Sequence, residues 1–492
     1  MPVEADSTLA RIVASSAPDA ELSGFRLMPN GEAALDTRLE LIRRAERSLD
    51  LQYYHVENDQ TGRYLLRQLR DAARRGVRVR LLIDDLYTTG DDELLLGLAS
   101  HPNIELRLFN PFTAGREQQW TRYAAGLFDL GRLHRRMHNK LMIADGAMAI
   151  AGGRNVGDRY FRRTAGENFI DLDTFAVGPI VQRLAALFDR YWNSPYVFPV
   201  QAVVGGVRSP DALRLAFDEA TSPALAPAPR PPPPNDALGH EPLADDLAAG
   251  RLGLVWATGE AYADPPGRVE GETASYGGVP LLDVTAVRYN VVEEIRRARS
   301  AVMIASPYFI PGAVGLEVLG GIRKRGVAVT VVTNSLAATD EPLVHTGYAR
   351  YREDMLRLGV NLYELSSNRA RRSLRLGVFN TQLGRLHLKA AVVDGDVLYI
   401  GSMNFDPRSK YYNTEIGLII RSSELARQVA RLMELLKQQG SYRLRLDEAT
   451  GALQWVADGA GEATVLDNEP DTSVWLRTVL RLLAPFAPES LL

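Results

Sequence analysis

No cysteine occurs anywhere in this chain of 492 residues. That excludes disulfides, thiolate zinc sites and a cysteine nucleophile, while saying little about compartment. Histidine is scarce, at seven residues. Seven is few for a His-based metal centre, and no HExxH spacing occurs, so no metal or other cofactor is expected. A basic excess is missing as well. The formal net charge is −3 and the pI is about 6.2. A protein that lives on duplex nucleic acid is usually strongly basic, so no nucleic-acid partner is expected. No apolar run reaches the length of a transmembrane helix. The N-terminus, MPVEADSTLARIVASSAPDA, carries acidic residues where a secretory signal is basic. The expectation is a cytoplasmic or membrane-peripheral protein.

What the chain does have is one constellation written twice. His138-x-Lys140, Asp145 and Gly152-Gly153-x-Asn155 form the first copy. His387-x-Lys389, Asp394 and Gly401-Ser402-x-Asn404 form the second, at the same internal spacings. One copy is within reach of chance; two at one spacing imply a duplicated half-site. The repeat extends beyond the motifs. Residues 33–50 place Leu35, Leu39, Ile42 and Ala45 at helical spacing, and the strand-like LQYYHV follows. A second helix, TGRYLLRQLRDAARRG, leads into VRVRLLIDD. The C-terminal half answers with AVRYNVVEEIRRARS, AVMIASPYFI, VGLEVLGGIRKRG and VAVTVVTNS in the same helix–strand order. Both second helices run into Arg-Gly, a C-terminal stop. The alternation predicts α/β units with largely buried sheets.

Each motif spans a predicted hairpin, because Asp145-Gly146 and Asp394-Gly395 sit between apolar runs. The two aspartates therefore read as turn residues rather than catalysts. A Pro/Ala tract at 222–235 cannot pack a core and reads as a linker or exposed loop. The stretch from 236 to about 278 shows no clear pattern. The predicted division is a first lobe at 1–221, a linker and insert at 222–278, a second lobe at 279–445 and a C-terminal extension at 446–492. In that extension Trp475, Leu476, Val479, Leu480 and Leu483 share a helical face, with Arg477 and Arg481 off it. A packed terminal helix is the preferred reading; a membrane-interfacial helix is the alternative.

His and Lys two apart on a strand project from the same face. Two hairpins meeting at a seam would bring two imidazoles, two ammonium groups and two Asn amides to one phosphate. Lys and Asn would neutralise and orient its non-bridging oxygens. One neutral imidazole would attack phosphorus, and the other, protonated, would donate to the leaving alkoxide. An acidic partner would hold each ring in its tautomer. Glu415 is the candidate in the second half, and Asp171 occupies the comparable strand of the first. Gly152, Gly153 and Gly401 would allow close backbone approach, and Ser402 would add a hydroxyl donor.

These residues resemble the phospholipase D superfamily, whose mark is HxKx4D followed by Gly-Gly or Gly-Ser and Asn. The flanks SLDLQYYHVENDQTG, SPYFIPG and NFDPRSKYYNTE are similar to the C-type branch of bacterial cardiolipin synthases. The resemblance runs over roughly residues 24–440. It implies two phospholipase D-like lobes related by a pseudo-twofold axis, with the active site at their interface. It implies phosphatidyl transfer onto phosphatidylglycerol, with a phospholipase as the alternative and a nuclease further off. The donor is phosphatidylglycerol or phosphatidylethanolamine. It also implies peripheral contact with an anionic membrane, the bacterial inner membrane being the expected place. The superfamily roles fall on His138, Lys140, Asn155, His387, Lys389 and Asn404, with His138 favoured as nucleophile. Ser402 and Glu415 match the second motif; Gly153 and Asp171 depart from it in the first. His345 and His55 are further candidates for substrate contact, with His134 as support. Arg132, Arg135, Arg136 and Arg369, Arg371, Arg372, Arg375 flank the motifs as a basic rim suited to anionic headgroups. Oligomeric state is left open.

Overall fold

The Asp-Gly turns show how each lobe begins. Asp145 and Asp394 take positive φ (51° and 54°), as do Gly146 and Gly395. The Asp145 carboxylate accepts the amides of Glu46, Arg47 and Ser48, at the entry to a strand of the same lobe. Asp394 does the same for Arg299, Ser300 and Ala301. Each aspartate thus fixes a hairpin against its neighbouring strand, a structural duty.

The computed structural model describes residues 6–112, 114–126, 130–205, 208–250, 252–270, 275–276, 279–280, 286–372, 383–457 and 463–486. The first lobe contains β1 (Ser23–Met28), β2 (Ser48–Tyr53), β3 (Arg78–Asp84), β4 (Ile104–Phe109), β5 (Lys140–Ala144), β6 (Met148–Gly152), β7 (Asn168–Ile170), β8 (Asp173–Val177) and β9 (Val197–Pro199). β10 (Val255–Ala263) follows, then a small hairpin of β11 (Ser275–Tyr276) and β12 (Val279–Pro280). The second lobe contains β13 (Ala301–Ala305), β14 (Ala328–Asn334), β15 (Asn361–Leu365), β16 (Leu383–Leu386), β17 (Ala390–Val393), β18 (Val397–Gly401), β19 (Ile416–Arg421), β20 (Ser441–Leu446), β21 (Leu453–Ala457) and β22 (Thr464–Leu466).

Strand pairing repeats from lobe to lobe. The first runs β1–β8–β6–β5–β2–β3–β4, and the second β10–β19–β18–β17–β13–β14–β15. In each, the last three strands are parallel and the hairpin strands antiparallel. Helices connect the parallel strands, as such crossovers require. Two of them, Gln60–Arg74 and Gly312–Lys324, end before Gly76 and Gly326 at positive φ.

The unpatterned stretch corrects the predicted division. β10 plays in the second lobe the part that β1 plays in the first, and the two strands pair with each other. Val255–Ala257 pairs with β1, and Thr258–Ala263 with β19. The second lobe's sheet therefore starts at β10, inside the stretch assigned to linker and insert, and not at 279. The reason the pattern is faint is physical. One face of β10 carries Ala257, Gly259, Ala261 and Ala263, and a Cβ at Gly259 would overlap the Phe25 ring. The alternation is of small residues, not of large apolar ones. The Pro/Ala tract itself has no helix or strand over 227–240 and lies along the first lobe. Arg67 donates to the carbonyls of Thr221 and Ala226, and Arg163 to that of Pro227.

The extension from 446 is likewise tied in. β20, β21 and β22 continue the second sheet beyond β15. A buried network, with Arg352 bridging Glu364 (2.8 Å) and Glu469 (2.5 Å), fastens it to the lobe. Between the lobes one apolar core is shared. It joins Leu27, Ile143 and Phe188 of the first lobe to Val392, Leu418 and Leu432 of the second. No helix among the described residues is long and apolar enough to cross a membrane.

Candidate active site

Short parallel pairings across the seam place the reactive groups. β7 pairs with β16, so the His387 amide donates to Ile170 O (2.8 Å), one residue before Asp171. In the mirror arrangement Met137 bridges Thr414, and the His138 amide donates to Thr414 O (2.8 Å), one residue before Glu415. Each imidazole is thereby delivered to a carboxylate of the opposite half. His138 Nδ1 lies 2.9 Å from Glu415 Oε2, and His387 Nδ1 lies 2.6 Å from Asp171 Oδ2. With Nδ1 engaged, Nε2 is the nitrogen left for chemistry.

Both histidines line one cavity of about 260 Å³. Tyr54 packs edge-on against His138 (4.9 Å between centroids) and Tyr160 against His387 (5.2 Å). Lys140 and Lys389 are buried and each donates to the carbonyl of the histidine two residues earlier, at 2.6 and 2.5 Å. Asn155 and Asn404 line the same cavity; Asn155 donates to the Tyr160 hydroxyl (2.9 Å), and neither Oδ1 has a partner among the described residues.

Electrostatics separate the two halves. Burial, then the nearby lysines, hold the His138 imidazolium well below its ordinary range. Burial and Lys389 lower His387 too, against the opposing pull of Asp171. Burial raises the Asp171 carboxyl, but the His387 imidazole, with Lys389 and Arg154 behind it, outweighs this and holds it below the usual range. Glu415 is pushed up to about 7 by burial, against Lys140 and its hydroxyl partners. Burial brings Lys389 down to about 8. A lysine there exchanges its proton near neutrality.

Several expectations need correcting. Ser402 Oγ donates to Glu415 Oε2 and accepts the Ile416 amide, so its hydroxyl orients the carboxylate rather than facing a phosphate. The Gly153 and Ser402 amides donate to Leu172 O and Ile416 O. Gly152 and Gly401 lie hard against the neighbouring strand, where a Cβ would overlap Asp173 and Ile416 O respectively. At Gly153 a Cβ would overlap the Asp171 carboxylate. The glycines therefore admit protein atoms. His345 stands outside the cavity, 3.6 Å from Glu469 and 2.5 Å from Arg352, because its helix turns Val344 inward instead. Arg136 belongs to no rim: it is fully buried against Asp84 (2.8 Å). Arg369 packs over the Tyr442 ring, while Arg375 and the side chains of Arg371 and Arg372 lie outside the described residues. His55 does line the cavity, where burial and Lys140 bring it down to about 4. His134 sits 6.0 Å from the Tyr412 ring.

Sequence reasoning missed several groups at the site. Arg408 lines the cavity with a buried Nε that has no partner among the described residues. Ser409 Oγ donates to Glu415 Oε1 (2.7 Å). Asp264, at the end of β10, accepts the Glu415 amide (3.0 Å) and pairs with Arg268 (2.8 Å). Tyr308, Asp340 and Glu341 add a polar wall from the second lobe. The DPRSKYYN run was the available signal for Arg408 and Ser409.

The comparisons agree with this architecture. A model described as "Cardiolipin synthase, PLD-like domain" matches residues 39–192 and 291–437, one match around each motif. Cardiolipin synthase C of Escherichia coli is 37% identical over 471 residues, covering 93% of this chain and 94% of that one. An uncharacterized protein of Helicobacter pylori is 32% identical over 458 residues, covering 92% and 86%. Among solved structures, phosphatidylserine synthase of Haemophilus influenzae has a TM-score of 0.61 at 12% identity, covering 98% of this chain and 99% of that one, a likeness of fold. Two family-matching segments, a relative similar over almost the whole chain and a paired half-site make this chain a member of the phospholipase D-like cardiolipin synthase family.

Proposed function

We propose that the protein is a cardiolipin synthase that moves a phosphatidyl group onto phosphatidylglycerol through phosphohistidine. The observation that carries this is the pair of histidines in one cavity, each with Nδ1 on a carboxylate of the other half. His138 Nε2 attacks the phosphorus of the donor phospholipid. The bond from phosphorus to the headgroup oxygen breaks, and His387 gives its proton to that oxygen. His387 then takes the proton of the phosphatidylglycerol hydroxyl. That oxygen attacks phosphorus, the N–P bond breaks, and cardiolipin leaves with His138 restored. Arg408 and the two Asn amides, which line the cavity, bind the non-bridging oxygens, and the Lys140 and Lys389 ammonium groups add positive charge behind the histidines.

Peripheral binding to an anionic membrane, the bacterial inner membrane being the natural one, belongs to the same reading. The helix Val474–Leu483 packs through Leu480 but leaves Val474, Trp475, Leu482 and Leu483 exposed. The expected apolar face is thus split, and its outer part is unpaired. Arg477 is spent on Glu469 and Thr472 of its own chain, so it is not the test of membrane contact. That helix lies on Pro342–Ala349, where Leu343 is exposed and Val344 enters the cavity. An apolar surface so placed would set the cavity mouth at the lipid surface, which suits a chamber sized for a headgroup rather than for acyl chains.

Mass spectrometry of lipids made by the purified protein from defined donor and acceptor pairs tests the chemistry. Cardiolipin that forms only when phosphatidylglycerol is present is expected; phosphatidic acid as sole product with or without it makes the enzyme a hydrolase. For the membrane, Trp475→Ser with Leu482→Ser should weaken vesicle binding roughly 10-fold or more. Unchanged co-sedimentation removes this helix from the interface.

A further inference from the structure

The loop that follows the first motif has two faces. Arg159 and Tyr160 line the catalytic cavity. Phe161, Arg162 and Arg163 line a second pocket, of about 600 Å³, whose opposite wall is the Pro/Ala tract at Pro227–Arg230. Three guanidinium groups, Arg162, Arg163 and Arg230, meet there with a single carboxylate, Glu32.

Two of these arginines are poorly satisfied. The Arg162 side chain is 8% exposed, and its nearest counter-charge, Glu32, is 3.9 Å away. Arg162 Nε is buried with no hydrogen-bond partner among the described residues, and so is Arg163 Nη1. Arg163 has Asp158 at 3.9 Å and gives one hydrogen bond to Pro227 O. Burying a cation without acceptors is costly, and a fold keeps such groups where something supplies them. Burial lowers both guanidinium groups from their ordinary range despite these carboxylates. Arg162 also sits at φ 61°, a conformation that a non-glycine residue holds only when its surroundings dictate it.

We propose that this pocket is a phosphate-binding site, separate from the catalytic cavity, in which Arg162 and Arg163 donate to the non-bridging oxygens of a phosphate ester or free phosphate. Guanidinium forks match such oxygens in pairs. Arg230, carried by the tract, would close over the anion from the far wall. The Pro/Ala segment then has a binding duty beyond connecting the lobes. The site does not depend on the transferase reading, and either can fail alone.

Equilibrium dialysis of the full chain with radiolabelled inorganic phosphate tests it. Phosphate is expected to enter the catalytic cavity as well, so the equivalent lost with the arginine and Ala228 variants is the readout. Two equivalents are expected in the parent protein. Arg162→Gln with Arg163→Gln should weaken the second by roughly 10-fold or more. Ala228→Glu should do the same from an exposed position on the tract, with an unchanged melting temperature, and decides the matter if the arginine variant does not fold. Dihexanoyl phosphatidylglycerol that displaces the Arg162-dependent equivalent assigns the site to lipid headgroups. Retention of that equivalent assigns it to free phosphate or a soluble ester. Parent-like stoichiometry in Ala228→Glu, or a parent protein whose bound phosphate is all retained in the arginine variant, overturns the site.

Discussion

The two half-sites share a backbone and differ in what holds the carboxylate. In the second half Ser402 and Ser409 donate to Glu415. In the first, Gly153 leaves room for Asp171, which accepts the Leu172 amide. Because each carboxylate reaches across the seam, the difference falls on the opposite histidine. His138 faces an acid that exchanges its proton at about 7, while His387 faces one that is held ionised. The ionised Asp171 opposes the burial and Lys389 that lower His387, so this ring keeps more of its imidazolium character than a buried ring without such a partner, which suits the general acid and base. A neutral ring far below its ordinary range suits a nucleophile. Duplication supplied the symmetry, and differences at the carboxylate and the two hydroxyls that hold it divide the labour.

The largest effect should come from the histidines. His138→Ala and His387→Ala should each lower turnover by roughly 10⁴-fold or more, since the two act as a unit. They should differ in what they trap. With phosphorus-labelled donor, the His387→Ala protein should gather label on His138 slowly, because headgroup departure lacks its acid, and keep it, because release lacks its base. The His138→Ala protein should hold none. Label on His387 would reverse the assignment, and substantial activity in either variant would end the shared-site account.

The carboxylates come next. Asp171→Asn and Glu415→Gln should each cost roughly 10²- to 10⁴-fold, by losing the tautomer each acid imposes. Their pH profiles should part. As pH falls through about 7, Glu415 gains a proton and stops accepting from His138 Nδ1, so kcat/KM falls on the acid side. As pH rises through about 8, Lys389 loses its ammonium and phosphate binding weakens. The parent profile is a narrow bell. Glu415→Gln should flatten its acid limb, whereas Asp171→Asn should leave that limb near 7. An acid limb untouched by Glu415→Gln would mean that another group titrates there.

How far the sequence discloses this site depends on the range of each interaction. His138, Lys140 and the Asp145 turn are legible because two-residue strand periodicity and Asp-Gly turns are local. The lobes are legible because the helix–strand order repeats. The crossing is not: His138 and Glu415 are 277 residues apart, and nothing near either says which lobe's strand lies beside it. β10 escapes notice because its periodicity is in Ala and Gly, set by the Phe25 ring above it. His345 is legible as a histidine on a helix, but the register that turns Val344 to the cavity and His345 to Glu469 is a tertiary fact. Asp264 lacks any local mark, since its role arises only when the end of β10 lies beside the Glu415 strand.

The smallest expected effect bears on why the halves diverged. A serine at position 153 would match the second motif, but its Cβ would overlap the Asp171 carboxylate. Both groups are buried, so neither can swing into solvent. Gly153→Ser should therefore destabilise the fold by about 1–3 kcal/mol, read as a lower denaturant midpoint. Adding Asp171→Ala should recover most of that loss, because the overlap is gone, although the double variant stays inactive. If Gly153→Ser is as stable as the parent, or if Asp171→Ala does not rescue it, the carboxylate does not dictate the glycine. The departure of the first motif would then need a cause outside the His387–Asp171 pair.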